Sequence, residues 1–183
     1  DNPYTPAAYS WPSTMPKYAK EELTNELQRL MTLLHVKTGV YNVETRLCTN
    51  GKPYIMELSP RGGGHRLSAT LRYITHTDLI DNAVLNAVGE KIEEIQQPCY
   101  DGCLAEIILH SDKSGIFRKL IIDKEFEKQF VIEKDLWVEN GDKVEGFTGA
   151  NKAIGTLALH FSSHQELEEN VQYYKNKITI IVD

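Results

Sequence analysis

The stretch YNVETRLCTNGKPYIMELSPRGGGHR, residues 41–66, gathers the side chains of this sequence best suited to chemistry on anions. Asn50-Gly51 between two runs of strand formers is a strong short hairpin signal. A two-residue loop there sets Thr49 opposite Lys52, Glu44 opposite Glu57, Asn42 opposite Ser59 and Arg46 opposite Ile55. Like charges directly opposed on a sheet repel, and neighbouring carboxylates compete to stay protonated. A divalent cation removes that conflict. A few carboxylate oxygens, with the remaining positions left to water and phosphate, is the usual arrangement for Mg²⁺. Just past the second strand, Arg61 offers a planar fork for phosphate or carboxylate. Gly62, Gly63 and Gly64 then form a loop that lets backbone approach a ligand closely. His65, with an ordinary pKa of about 6.5, suits acid–base work in such a place. A plainer reading stands beside this one: two glutamates on a solvated strand face, a connecting turn of glycines and an ordinary loop histidine.

Strand alternation places Asn42, Glu44, Arg46, Glu57 and Ser59 on one surface. Tyr41, Val43, Leu47, Tyr54, Met56 and Leu58 fall on the other, the expected core side. Ahead of the hairpin, Leu23, Leu27, Leu30 and Leu34 recur at helical spacing, predicting a helix over 17–35 that is stopped before Gly39. Behind the glycine loop, TDLIDNAVLNAVGE predicts a helix capped by Thr77 or Asp78 and ended at Gly89. Residues 1–16 carry four prolines and predict an extended entry segment. From about Cys99 the texture changes to short strands: CLAEIILH, IFRKLIID, QFVIEKDLWV and AIGTLALHF. Ser163 with Glu166 is a capping-box pattern opening a helix to about Tyr174, and ITIIV closes the chain as a strand. The division this implies is 1–16, 17–97 and a small β-rich domain over 98–183.

A net charge of −6 and the absence of a basic stripe argue against nucleic acid as a partner. Nothing in the 183 residues reads as a membrane-spanning run. The three cysteines, none in a CxxC, point to a reduced, cytoplasmic setting. Cys99 and Cys103 read as structural. His35, His76, His110, His160 and His164 are scattered without metal-ligand spacing. Trp11 and Trp137 belong to no aromatic series of the kind that stacks on bases. The first residue, Asp1, suggests a piece of a longer protein.

GVYNVETRL and YIMELSPRGGG resemble, in order and spacing, two motifs of the ATP-grasp carboxylate–amine ligases, a family that includes carbamoyl-phosphate-synthase-like and amino-acid-ligase-like enzymes. The resemblance is dense over 39–90 and loose beyond. It implies an α+β fold: the C-terminal half of the ATP-grasp domain, an antiparallel sheet with packed helices, followed by a small β-rich domain with a terminal helix. It implies Mg-ATP (with Mn²⁺ as a substitute) and small-molecule carboxylate and amine substrates joined through an acyl phosphate. Carried over by position, Glu44 and Glu57 hold the metal and ATP phosphates, Arg61 grips the transferring phosphate, and Gly62–His65 line the carboxylate substrate. Ser59 stands where the family has Asn, so its metal contact is weaker or runs through water, and Asn42 opposite it is a compensating ligand. The family's nucleotide pocket and glycine-rich lid lie upstream of Asp1, so the partner expected is the rest of the polypeptide or a subunit supplying that half. Two rival readings are a noncatalytic binding module on the same fold and a two-metal hydrolase. The hydrolase lacks the His and Asp ligands such sites add.

Overall fold

The structure is a computed structural model that describes residues 5–92 and 100–183. The chain is α+β and divides into two compact units, one of residues 13–97 and one combining 1–12 with 98–183. Cys99 lies outside the described residues. Among the described residues no helix is long and apolar enough to cross a membrane.

In the first unit α1 (Lys17–Leu33) precedes the hairpin β2 (Asn42–Leu47) and β3 (Pro53–Ser59), which is followed by α2 (Leu67–Thr75) and α3 (Leu79–Ala87). The apolar stripe of α1 buries Ala19 and Leu23 and half-buries Leu27 and Leu30, but Leu34 lies beyond the last turn and is 57% exposed. The helix stops earlier than Gly39 predicts, because His35 adopts a left-handed conformation at φ 50. Asp78, not Thr77, caps α3: its Oδ1 accepts from the backbone N–H of Ile80 at 2.9 Å and of Asp81 at 3.2 Å. The helix α2, starting at the end of the glycine loop, carried no sequence expectation.

The second unit holds a four-stranded antiparallel sheet in the order β1 (Ala8–Trp11), β4 (Cys103–Leu109), β8 (Gly155–Phe161), β6 (Val131–Leu136). A second sheet runs β7 (Lys143–Val144), β5 (Gly115–Ile122), β9 (Ile178–Val182). The proline-rich start is thus more than an entry segment, since Ala8–Trp11 adds an edge strand along β4. Prolines tolerate such an edge, where no ladder N–H is needed on the outer side. Gln129 and Phe130, expected in a strand, instead end the short helix α4 (Lys124–Phe130), capped by Asp123 accepting from Phe126 N–H at 3.0 Å. Every residue of β4 is buried, including Glu106 at its centre, and Ile107, Leu157, Leu159 and Phe161 form the middle of the core. The helix α5 (His164–Val171) starts at the capping box. Ser163 Oγ accepts from Glu166 N–H at 3.2 Å, while the Glu166 carboxylate reaches the N–H and hydroxyl of Ser162 instead of the cap residue itself.

Candidate metal and phosphate site

The hairpin places the predicted residues together, but by a different local route. The loop has three residues, 49–51, not two: Cys48 N–H donates to Lys52 O at 3.0 Å, and Gly51 takes φ +76. That is a common three-residue hairpin with glycine in the left-handed position. Tyr18 of α1 reaches the same turn, donating its hydroxyl to Gly51 O at 3.0 Å. Pairing from this turn sets Leu47 opposite Pro53, Arg46 opposite Tyr54 and Thr45 opposite Ile55, one residue out of the expected register. A bulge at Met56 then absorbs one residue, and Glu44 faces Glu57, Val43 faces Leu58 and Asn42 faces Ser59 as the sequence predicts. The bulge also reverses which residues of early β3 point inward. Pro53 is buried and Ile55 half-buried, whereas Tyr54 and Met56, expected in the core, are exposed, Met56 by 61%. Leu47, next to the turn, is exposed as well.

On the polar face each carboxylate is tied through one oxygen. Arg46 donates to Glu44 Oε1 at 3.1 Å, and Ser59 Oγ donates to Glu57 Oε1 at 2.5 Å. The Arg46–Glu44 pair is largely exposed and contributes less than about 1 kcal/mol to stability. Among the described residues no group of three or more His, Cys, Asp and Glu side chains converges for a metal. The donors on this face are therefore two carboxylates with the neutral oxygens of Ser59 and Asn42. Such hard, oxygen-only donors fit Mg²⁺, which keeps several waters and shares phosphate oxygens.

Arg61 follows directly, its N–H donating to Ser59 O at 2.9 Å and its guanidinium to Gly62 O at 2.8 Å. A cavity of about 450 Å³ opens beside it, lined in part by Tyr41, Gly62, Asn82 and Asn86. Asn82 and Asn86 lie one turn apart on α3, and only their i, i+4 spacing within an apolar helix hinted at a shared polar face. Gly62 and Gly63 have a packing reason to lack side chains: a Cβ on Gly62 would meet Ser68 Oγ, and one on Gly63 would overlap Leu67 at the start of α2. Gly64 faces open space. Gly63→Ala is therefore expected to destabilise this unit by about 1–3 kcal/mol. Gly64→Ala should stay within about 0.5 kcal/mol. Chemical denaturation of the two variants checks this, and equal losses would overturn the packing account. His65 adopts φ 54, and burial pushes its imidazole below the ordinary value, so it is neutral at pH 7 and suits hydrogen bonding more than charge pairing.

Elsewhere the histidines serve structure. His76 closes α2 in a left-handed conformation, and His110 stacks on Phe147 with ring centroids 4.0 Å apart. Cys103 is buried with its sulfur 3.9 Å from His164 Nδ1, and burial pushes its thiol up, so it is protonated at neutral pH and no nucleophile.

No family model matches the chain. Residues of this chain are 34% identical over 82 positions to carnosine synthase 1 of Gallus gallus, covering 45% of this chain and 9% of that protein. Among solved structures, an L-amino acid ligase from Bacillus licheniformis superposes with a TM-score of 0.81 at 20% identity, covering 98% of this chain and 45% of that one. The biotin carboxylase domain of the Hydrogenobacter thermophilus 2-oxoglutarate carboxylase, solved with MgADP and bicarbonate, gives 0.74 at 13% identity, covering 100% and 40%. The fold is shared with the matching parts of that L-amino acid ligase and that biotin carboxylase domain, in agreement with the fold that the resemblance to ATP-grasp ligases implies. The chain spans less than half the length of each of these proteins.

Proposed function

We propose that this chain supplies the metal-holding half of an ATP-dependent ligase site that joins a small carboxylate to an amine. The observation that carries the reading is the opposition of Glu44 and Glu57 on one face of a hairpin, with Arg61 two residues past Ser59, on this fold. Residues 17–97 then act as the C-terminal part of the ATP-grasp domain and 98–183 as the small domain that follows it. The nucleotide pocket comes from further polypeptide of the same protein or from a partner subunit, in keeping with the share of the ligases that the chain spans. An uncharged cavity wall at Asn82 and Asn86 and the free thiols of Cys48 and Cys103 fit this reading, and the setting that goes with it is reduced and cytoplasmic.

Glu44 and Glu57 would hold Mg²⁺, which supplies Lewis acidity and neutralises charge on the ATP phosphates, and Asn42 and Ser59 share their face of the hairpin. A substrate carboxylate oxygen attacks the terminal phosphorus, the bond to ADP breaks, and an acyl phosphate forms. Arg61 orients and stabilises the charged phosphoryl group with its paired N–H donors. The loop Gly62, Gly63, Gly64 and His65 borders the carboxylate, with His65 neutral. The amine then attacks the acyl carbon and phosphate leaves, carrying one oxygen of the original carboxylate.

That oxygen is the test. In the full-length protein, ¹⁸O-labelled carboxylate should deliver one label to the released phosphate, and release should require both carboxylate and amine. ATP-dependent amide formation with unlabelled phosphate would overturn the acyl-phosphate route. A noncatalytic module on the same fold would bind Mg-ATP and release no phosphate. The 183-residue chain alone is expected to show no ligation above background, because catalysis requires both reactants positioned together.

A further inference from the structure

We infer that Ser59 is a positioning residue for Glu57 and not itself a metal ligand. The inference rests on the ligase reading above. Glu57 is exposed, and an exposed glutamate samples many rotamers that a metal site must suppress. Here its Oε1 is held by the Ser59 hydroxyl at 2.5 Å, a short bond of the kind made to charged acceptors. Ser59 is itself fixed from two directions. Its Cα pairs with Asn42 across the hairpin, and its carbonyl accepts from Arg61 N–H at 2.9 Å. The single hydroxyl proton is thus committed to Glu57, and the short side chain holds it there. Glu57 keeps Oε2 for a cation.

Glu44 shows the same pattern, with Oε1 engaged by Arg46 and Oε2 left over. Each facing carboxylate is therefore oriented by a partner two residues along its own strand and offers one oxygen. One oxygen from each glutamate leaves most of an octahedral cation's positions to water and phosphate, the arrangement Mg²⁺ favours. Residues that orient a ligand in this way typically cost 10–100-fold in metal affinity when removed.

The test uses Mn²⁺ as probe in the full-length protein, titrated by electron paramagnetic resonance in the presence of ADP. Ser59→Ala is expected to weaken Mn²⁺ binding about tenfold, while Ser59→Thr, which keeps the hydroxyl, stays within about threefold of the unmodified protein. Line broadening by ¹⁷O-water counts the waters on the bound Mn²⁺, and that count should be the same in Ser59→Ala as in the unmodified protein. One additional water in Ser59→Ala would make Ser59 a direct ligand and overturn the inference. Unchanged affinity in Ser59→Ala would overturn it too. If the unmodified protein binds no Mn²⁺, the metal reading of the whole face fails, a result distinct from either of those.

Discussion

If the full-length protein is the ligase proposed, Glu57→Gln is expected to slow ligation by on the order of several hundredfold while the fold stays intact. Removing one anionic donor from a cation that neutralises developing charge costs several kcal/mol of transition-state stabilisation, and each tenfold in rate is about 1.4 kcal/mol. Glu57 is the carboxylate on the strand that leads through Ser59 to Arg61, so in the proposed site metal, phosphate and acyl group would converge nearest to it. Ser59→Ala should cost less, since it disturbs the carboxylate without removing its charge. If Glu44 and Glu57 merely repel each other on a solvated face, the opposite pattern follows. Glu57→Gln would then relieve like-charge repulsion, raise the melting temperature and leave turnover untouched. Steady-state rates together with thermal melts, with and without Mg-ATP, separate the two. Unchanged turnover with a raised melting temperature would sink the metal assignment.

Phe161→Ala should produce the largest loss of stability in the second unit, about 3–5 kcal/mol. Phe161 is fully buried at the end of β8, opposite Cys103 of β4, with its ring centroid 4.8 Å from that of Phe130. Phe130 in turn packs edge-on against Phe126 at 5.4 Å, both on α4, so truncation opens a void beside that helix which cannot close without moving it. Tyr173, 57% exposed, serves as the control. Its replacement by alanine should fall within about 0.5 kcal/mol. Urea titration of both variants is the measurement, and a Phe161→Ala loss near that of the tyrosine control would show that the aromatic cluster is not the centre of this core.

The sequence by itself determined the hairpin, the polar set Asn42, Glu44, Glu57 and Ser59 that shares one face, and the caps at Asp78 and Ser163. Those signals are local. A turn dipeptide, a period of two and a carboxylate or hydroxyl ahead of a helix act within a few residues. The resemblance to ATP-grasp ligases also rested on this local spacing, and the fold agrees with it. Tertiary structure decided the rest. The loop and the Met56 bulge each shift register by one residue in compensating senses, so the Glu44–Glu57 pairing is correct although the turn beneath it differs from the expected one. Alternation alone cannot reveal a bulge, so it puts Tyr54 and Met56 on the core side, whereas Leu47 keeps its face and is exposed because it lies next to the turn. The strand Ala8–Trp11 gains its ladder from β4, roughly a hundred residues away along the chain, and prolines around it mask any local strand signal. Short helices such as α4 are marginal on propensity and form here because Phe126 and Phe130 bury their rings in the core. That Ser59 donates to Glu57, and that Gly63 is required by Leu67, are facts of contact distance, which no pattern of residue types encodes.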